Sequence, residues 1–110
     1  MFNVPNTLTE TGVYIVGVVA FPGKIEVDPK GLYPDKFKLR IATGGDQTHV
    51  PFFCTVSFDQ EYTKEADKIP YLKKELAGVV IHGRLTNRVG KDGKTVWTEL
   101  HADGVRELTH

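Results

Sequence analysis

Val79-Val80-Ile81-His82-Gly83-Arg84-Leu85-Thr86-Asn87-Arg88 begins as an apolar run and passes into an alternation of Arg and apolar residues. The polar stretch Lys91-Asp92-Gly93-Lys94 follows, and then a second segment with the only Trp of the chain, Trp97. This pattern predicts two strands joined by a hairpin, since Asp-Gly is a favoured hairpin dipeptide. The first strand has one face in a core and offers guanidinium groups on the other.

Working outward, four further strands or strand pieces are legible. Val13 to Ala20 is β-branched and aromatic, with Gly17 in its middle as a mark of a bulge or bend. Phe21-Pro22-Gly23 reads as a turn, Lys24 to Val27 alternates, and Asp28-Pro29-Lys30-Gly31 is a second turn, extended by Tyr33-Pro34-Asp35. Phe37-Lys38-Leu39-Arg40-Ile41 alternates strictly, with Lys38 and Arg40 opposite the apolar face. Thr43-Gly44-Gly45-Asp46 is a loop, and Pro51 to Phe58 is a strand. Asp59 to Leu76 is the single helical candidate, capped by Asp59, interrupted by Pro70 and stopped at Gly78. The final strands are Val79 to Arg88 and Thr95 to Ala102, with residues 104 to 108 as a continuation. About five strands with one helix between the third and fourth is the order of an all-β, five-stranded OB-fold barrel. An SH3-like barrel usually lacks the helix, and an immunoglobulin-type sandwich wants more strands.

The 110 residues form one domain, with residues 1 to 11 as an N-terminal arm. An apolar content of 40% and a charged content of 25% are ordinary for a soluble chain. No run approaches the ~20 apolar residues of a membrane span, and Met1-Phe2-Asn3-Val4-Pro5 does not open a secretory signal. The lone Cys54 excludes an internal disulfide and fits the reducing cytoplasm. Fourteen basic and fourteen acidic residues give a formal net charge of zero, so any cationic surface must arise by placement.

The candidate functional residues lie on the strand faces. Lys38 and Arg40 share one face, and Arg84, Thr86 and Arg88 share another, with His82 in line. An unpaired guanidinium is costly to bury, so these faces point outward. Trp97 is in phase with Thr95, Glu99 and His101, opposite the core phase of Val96, Leu100 and Ala102. Cations for phosphates beside an exposed aromatic for bases are what single-stranded nucleic acid requires. The competing reading is a charged sheet face that serves solubility. Phe52, Cys54, Val56 and Phe58 form the core phase of their strand, and Phe53, Thr55 and Ser57 the outward one. His49, His82, His101 and His110 have no metal-ligand spacing, Cys54 reads as a small core residue, and Gly44-Gly45 lacks the context of a phosphate loop. Neither a catalytic constellation nor a cofactor or metal site is expected.

The ordered segments resemble the bacterial-type single-stranded DNA-binding proteins. Val13-Tyr14-Ile15-Val16-Gly17 is similar to the first strand of that family, and Phe37 to Thr43 to the strand ending in Leu-Ala-Thr. Phe52 to Phe58, Tyr71-Leu72-Lys73-Lys74, Gly83 to Arg88 and Thr98-Glu99-Leu100 resemble later family segments in order. The resemblance implies an OB-fold that oligomerises as a homodimer or homotetramer, coats single-stranded DNA in replication or recombination with little sequence choice, and does no chemistry. By position it implies base stacking at Phe52 and Phe58 and backbone contacts at Arg40, Thr86 and Arg88. For Phe52 and Phe58 this conflicts with the core phase unless a bulge intervenes. The chain departs from the family in four places, the first being a short loop between Thr43 and Val50. Val89-Gly90 stands where a stacking Trp is expected, Glu75-Leu76-Ala77 is inserted before the fourth strand, and the sequence ends at His110 without an acidic, partner-recruiting tail.

The expectation is therefore a stand-alone coating protein, of phage or mobile-element type, with Lys38, Arg40, Arg84 and Arg88 on phosphates and Phe52, Phe58 and Trp97 on bases. RNA is an admissible ligand. An OB-fold protein–protein adaptor, or a replication accessory of the primosomal PriB type, is the alternative.

Overall fold

Alternation along Phe37-Lys38-Leu39-Arg40-Ile41 produces a strand whose apolar members are buried and whose cations are not. In the computed structural model, which describes residues 12–45 and 48–108, Phe37, Leu39 and Ile41 lie in the core while Arg40 is exposed. The five strands are β1 (Val13–Glu26), β2 (Lys36–Thr43), β3 (Phe52–Phe58), β4 (Gly78–Val89) and β5 (Val96–Glu107). They close into a barrel in the order β1-β2-β3-β5-β4. All neighbours are antiparallel except β3 and β5, which run parallel. The five-stranded OB-fold is thus present, with its helix between β3 and β4. The expected N-terminal arm, Asp46 of the loop after β2 and the chain end at His110 lie outside the described residues.

Three local expectations are corrected. Phe21-Pro22-Gly23 is not a turn but part of the continuous β1, where the pairing with β2 slips between Val19 and Phe21 and again before Lys24. The slips let one long strand bend around the barrel, as bulges do. Gly23 fits there because a Cβ would collide with the Phe37 ring. The expected helix is shorter: α1 covers Gln60–Asp67, and Pro70–Lys73 is a separate 3-10 turn. Asp59 does not cap it through its side chain; its carbonyl accepts from the Tyr62 N–H at 2.9 Å. Gly78 opens β4 instead of stopping a helix, and Leu76 and Ala77 bond the backbone of Val19.

The core is built from the inward phases of all five strands. Phe58 meets Phe37 edge-on at 5.7 Å, beside Ile41, Val56, Ile81 and Leu100. The helix and the 3-10 turn add Ala66 and Leu72 to this core. Thr63 accepts the Phe37 N–H at 3.2 Å and so fixes α1 to β2.

The third correction decides where the site lies. β4 is covered from Val79 to Gly83 and exposed on both faces from Arg84 to Val89. Its first half pairs with β1 and β5, its second half with β5 alone. Leu85 and Val89 therefore do not reach a core: the end of β4 and the start of β5 project from the barrel as a two-stranded ribbon. Asp103 is the extra residue of a bulge, since His82 pairs with Gly104 and Gly83 with Ala102. The Asp103 carboxylate reaches Nδ1 of the buried His82 at 2.5 Å, and the His82 ring lies against Tyr14.

Candidate nucleic-acid interface

The projecting ribbon and the outer face of β2 and β3 form the two walls of a groove. Lys38 and Arg40 enter from β2, Phe52 and Phe53 from β3, Arg88 from β4 and Trp97 from β5. Thr55 and Glu99 lie between them. The register explains this convergence. Arg40 pairs with Thr55, Thr55 with Glu99 and Glu99 with Thr86, so one row crosses the sheet from β2 to β4. Two residues back on their parallel strands, Phe53 and Trp97 stand beside that row, and Trp97 pairs with Arg88.

A second groove adjoins the first and shares Lys38, Arg88 and Glu99 with it. Its far wall is the loop between β1 and β2, which brings Tyr33 to the cleft, together with Lys36 at the start of β2. That loop is shaped by Asp28, whose carboxylate accepts the N–H groups of Lys30, Leu32 and Tyr33. The Lys30 bond is the main cause that holds the Asp28 carboxyl below its usual range. The two grooves differ in charge. The first sets Lys38, Arg40 and Arg88 against Glu99 alone, whereas the second also contains Glu26 and Asp28. Lys38 is partly engaged by Glu26 at 3.5 Å.

Arg40 is held in place by aromatics. Its guanidinium carbon lies 5.5 Å from the Phe21 ring centroid and 5.7 Å from that of Phe53. Each such contact contributes roughly 0.5–1 kcal/mol at an exposed site. Trp97 is 54% exposed, and its six-membered ring lies so close to Gly90 that a Cβ there would meet it at 2.9 Å. The glycine in the place of the expected Trp thus makes room for the one on the neighbouring strand.

The hairpin that carries this pair is fixed by Asp92. Its carboxylate accepts from the N–H groups of Lys94 and Thr95, each at 2.9 Å, and from the Thr95 hydroxyl at 2.6 Å. The Thr95 hydroxyl bond leads the causes that lower its pKa to about 2. The loop is longer than a two-residue hairpin, because only Gly93 takes a positive φ and Gly90 bonds Thr95 across it.

Of the residues singled out from the sequence, Lys38, Arg40, Phe52, Arg88 and Trp97 meet in the first groove, and Thr86 lines the second. Thr86 is hydrogen-bonded to His101 at 2.8 Å. Arg84 is exposed on the same ribbon face but lines neither groove. Phe58 is withdrawn from the surface set: it is 0% exposed and packs on Phe37. No bulge is needed for Phe52, since β2 and β3 pair without a slip. It has the core phase but begins its strand at the barrel rim, where no further layer covers it, and it is 54% exposed.

The chain matches no protein-family model and no curated protein. Among solved structures it is similar to the small single-stranded DNA-binding protein of Streptomyces coelicolor, at 19% identity and a TM-score of 0.65, over 91% of this chain and 95% of that one. The mitochondrial single-stranded DNA-binding protein of S. cerevisiae aligns at 13% identity and a TM-score of 0.66, over 91% and 95%. The dimeric N-terminal domain of PriB from Thermoanaerobacter tencongensis aligns at 13% identity and 0.58, over 90% and 97%. The barrel is shared with single-stranded DNA-binding proteins. At these identities the likeness establishes the OB-fold and its element order.

Phe53, Lys36 and Glu99 line the cleft, Phe21 supports Arg40 from outside it, and none of the four is among the sequence candidates. Phe53 had the right signal, an outward phase shared with Thr55. Phe21 had a misleading one, because a Phe-Pro-Gly triplet reads as a turn until the strand is seen to continue through it.

Proposed function

We propose that the chain binds single-stranded DNA along the groove between β2–β3 and the β4–β5 ribbon, without chemistry on the strand. The observation that carries this reading is the convergence of Lys38, Arg40 and Arg88 with the exposed rings of Phe52, Phe53 and Trp97 in one groove. Cations neutralise the backbone while aromatic planes receive bases, and neither discriminates strongly between sequences. An Arg plane held between two rings also offers a stacking surface. RNA meets the same requirements. Coating a strand in replication or recombination is the role this binding fits.

Self-association as a dimer or tetramer belongs to the same reading. Val16 and Val18 are exposed along one face of β1, and Leu76 is exposed beside it. Apolar surface of this kind favours association between copies. Mass in solution with and without oligo-dT tests it: a monomer under both conditions argues against assembly.

The binding itself is tested by titrating oligo-dT while following Trp97 fluorescence. Saturable quenching is expected. No binding at low salt overturns the reading and favours a protein–protein adaptor, for which the mixed charge of the second groove is the supporting observation.

A further inference from the structure

One side chain in the groove is not explained by binding to a phosphate backbone. Glu99 is half-buried on the outward phase of β5 and lines both grooves. Its carboxylate makes no ion pair or hydrogen bond among the described residues, although Lys38, Arg40 and Arg88 line the same groove. A free carboxylate there opposes phosphate by like charge. Its place in the register gives it another use. It is the centre of the row Thr55–Glu99–Thr86, a floor of short hydroxyl side chains around one carboxylate. Trp97 stands two residues away on the same face, about 7 Å along the strand. The indole leans toward Gly90, so a base lying on the groove floor between Trp97 and Arg40 presents its edge to Glu99.

An ionised carboxylate offers two acceptor oxygens and no donor. Among the bases, guanine presents two neighbouring donors on its Watson–Crick edge, N1–H and the N2 amino group. Thymine presents one N–H between two carbonyl oxygens, which a carboxylate repels. Cytosine and adenine present one amino group beside a bare ring nitrogen. We propose that Glu99 is a base-reading residue, accepting N1–H and N2–H of a guanine that lies on the groove floor between Trp97 and Arg40, so that the cleft prefers guanine-bearing single strands. This rests on the single-strand reading of the groove and adds a base preference to it.

The test compares plain oligo-dT with the same oligomer carrying scattered dG, by fluorescence anisotropy in lithium buffer, which prevents quadruplex formation. The wild-type chain binds the dG-bearing strand about tenfold more tightly, the order expected for one bidentate pair. Replacing dG by deoxyinosine, which keeps N1–H and lacks the N2 amino group, removes part of the preference. Glu99→Gln, nearly isosteric, brings the ratio close to one while binding plain oligo-dT at least as tightly as wild type. Glu75→Gln removes a charge from an exposed residue that lines neither groove and keeps the ratio. Equal affinities in the wild-type chain, or a guanine preference that Glu99→Gln retains, overturn the inference and leave strand binding intact. A wild-type chain that binds neither oligomer overturns the single-strand reading and this inference together.

Discussion

Arg88 and Trp97 are partners across the β4–β5 ribbon, and both line the groove that Lys38 and Arg40 enter from β2. Arg84, two pairs nearer the barrel body than Thr86–Glu99, pairs with His101 and lines neither groove. The two arginines, equivalent by alternation, therefore differ in effect. Arg88→Ala weakens oligo-dT binding several-fold more than Arg84→Ala, measured by anisotropy at one fixed salt concentration. Equal losses would place the strand along the ribbon rather than in the groove.

Arg40 is placed by Phe21 and Phe53, and Phe21 itself lines neither groove. Phe21→Ala is expected to lower oligo-dT affinity by about 0.5–1 kcal/mol, the scale of one exposed cation–π contact. A double-mutant cycle with Arg40→Ala checks the cause: the Phe21 effect disappears once Arg40 is gone. Additive losses would mean that Phe21 acts independently of the guanidinium.

Phe52 and Phe58 share a strand phase and separate in role. Phe58→Ala opens a hole against Phe37 in the core and costs about 3–5 kcal/mol of stability. Phe52→Ala leaves thermal stability nearly unchanged and reduces oligo-dT affinity by about 1–3 kcal/mol, the order of one base–aromatic stack. Urea unfolding and anisotropy on the two variants measure this crossed pattern. A folded Phe58→Ala chain with selectively lost binding would contradict the assignment.

The Asp92 hairpin gives a pH dependence with a definite sign. Its carboxyl is lowered from the usual 3.8 to about 2 by bonds that exist only in the folded loop. An acid of depressed pKa stabilises the fold above its unfolded value, and that contribution is lost as pH falls from 3.8 toward 2. The amide resonances of Lys94 and Thr95 should therefore shift in that window, and Asp92→Asn should remove the step. A titration of these amides centred at the usual carboxylate value would show the bonds to be absent in solution.

Much of this architecture was legible because it follows from alternation. Phe37, Leu39 and Ile41 against Lys38 and Arg40, and Leu100 and Ala102 against Trp97, place their faces with no knowledge of partners. What alternation does not carry is where a strand leaves the barrel. Leu85 keeps the core phase of β4 but has no core beneath it, and Phe52 keeps that of β3 at the rim. Both outcomes depend on which strands pair at that height, a property of the closed sheet. The Phe21–Arg40–Phe53 contact was hidden for a related reason: it joins β1 to β2 and β3 across a slipped register, and no local pattern records a slip.

The most direct test of the central claim is the salt dependence of oligo-dT binding. Lys36, Lys38, Arg40 and Arg88 line the two grooves, and each phosphate contact on a single strand contributes about 0.7 to the slope. Binding through these groups gives a log–log slope of roughly −3 for the wild-type chain and roughly −2 for Arg88→Ala. A slope near zero, or one that Arg88→Ala leaves unchanged, would contradict it.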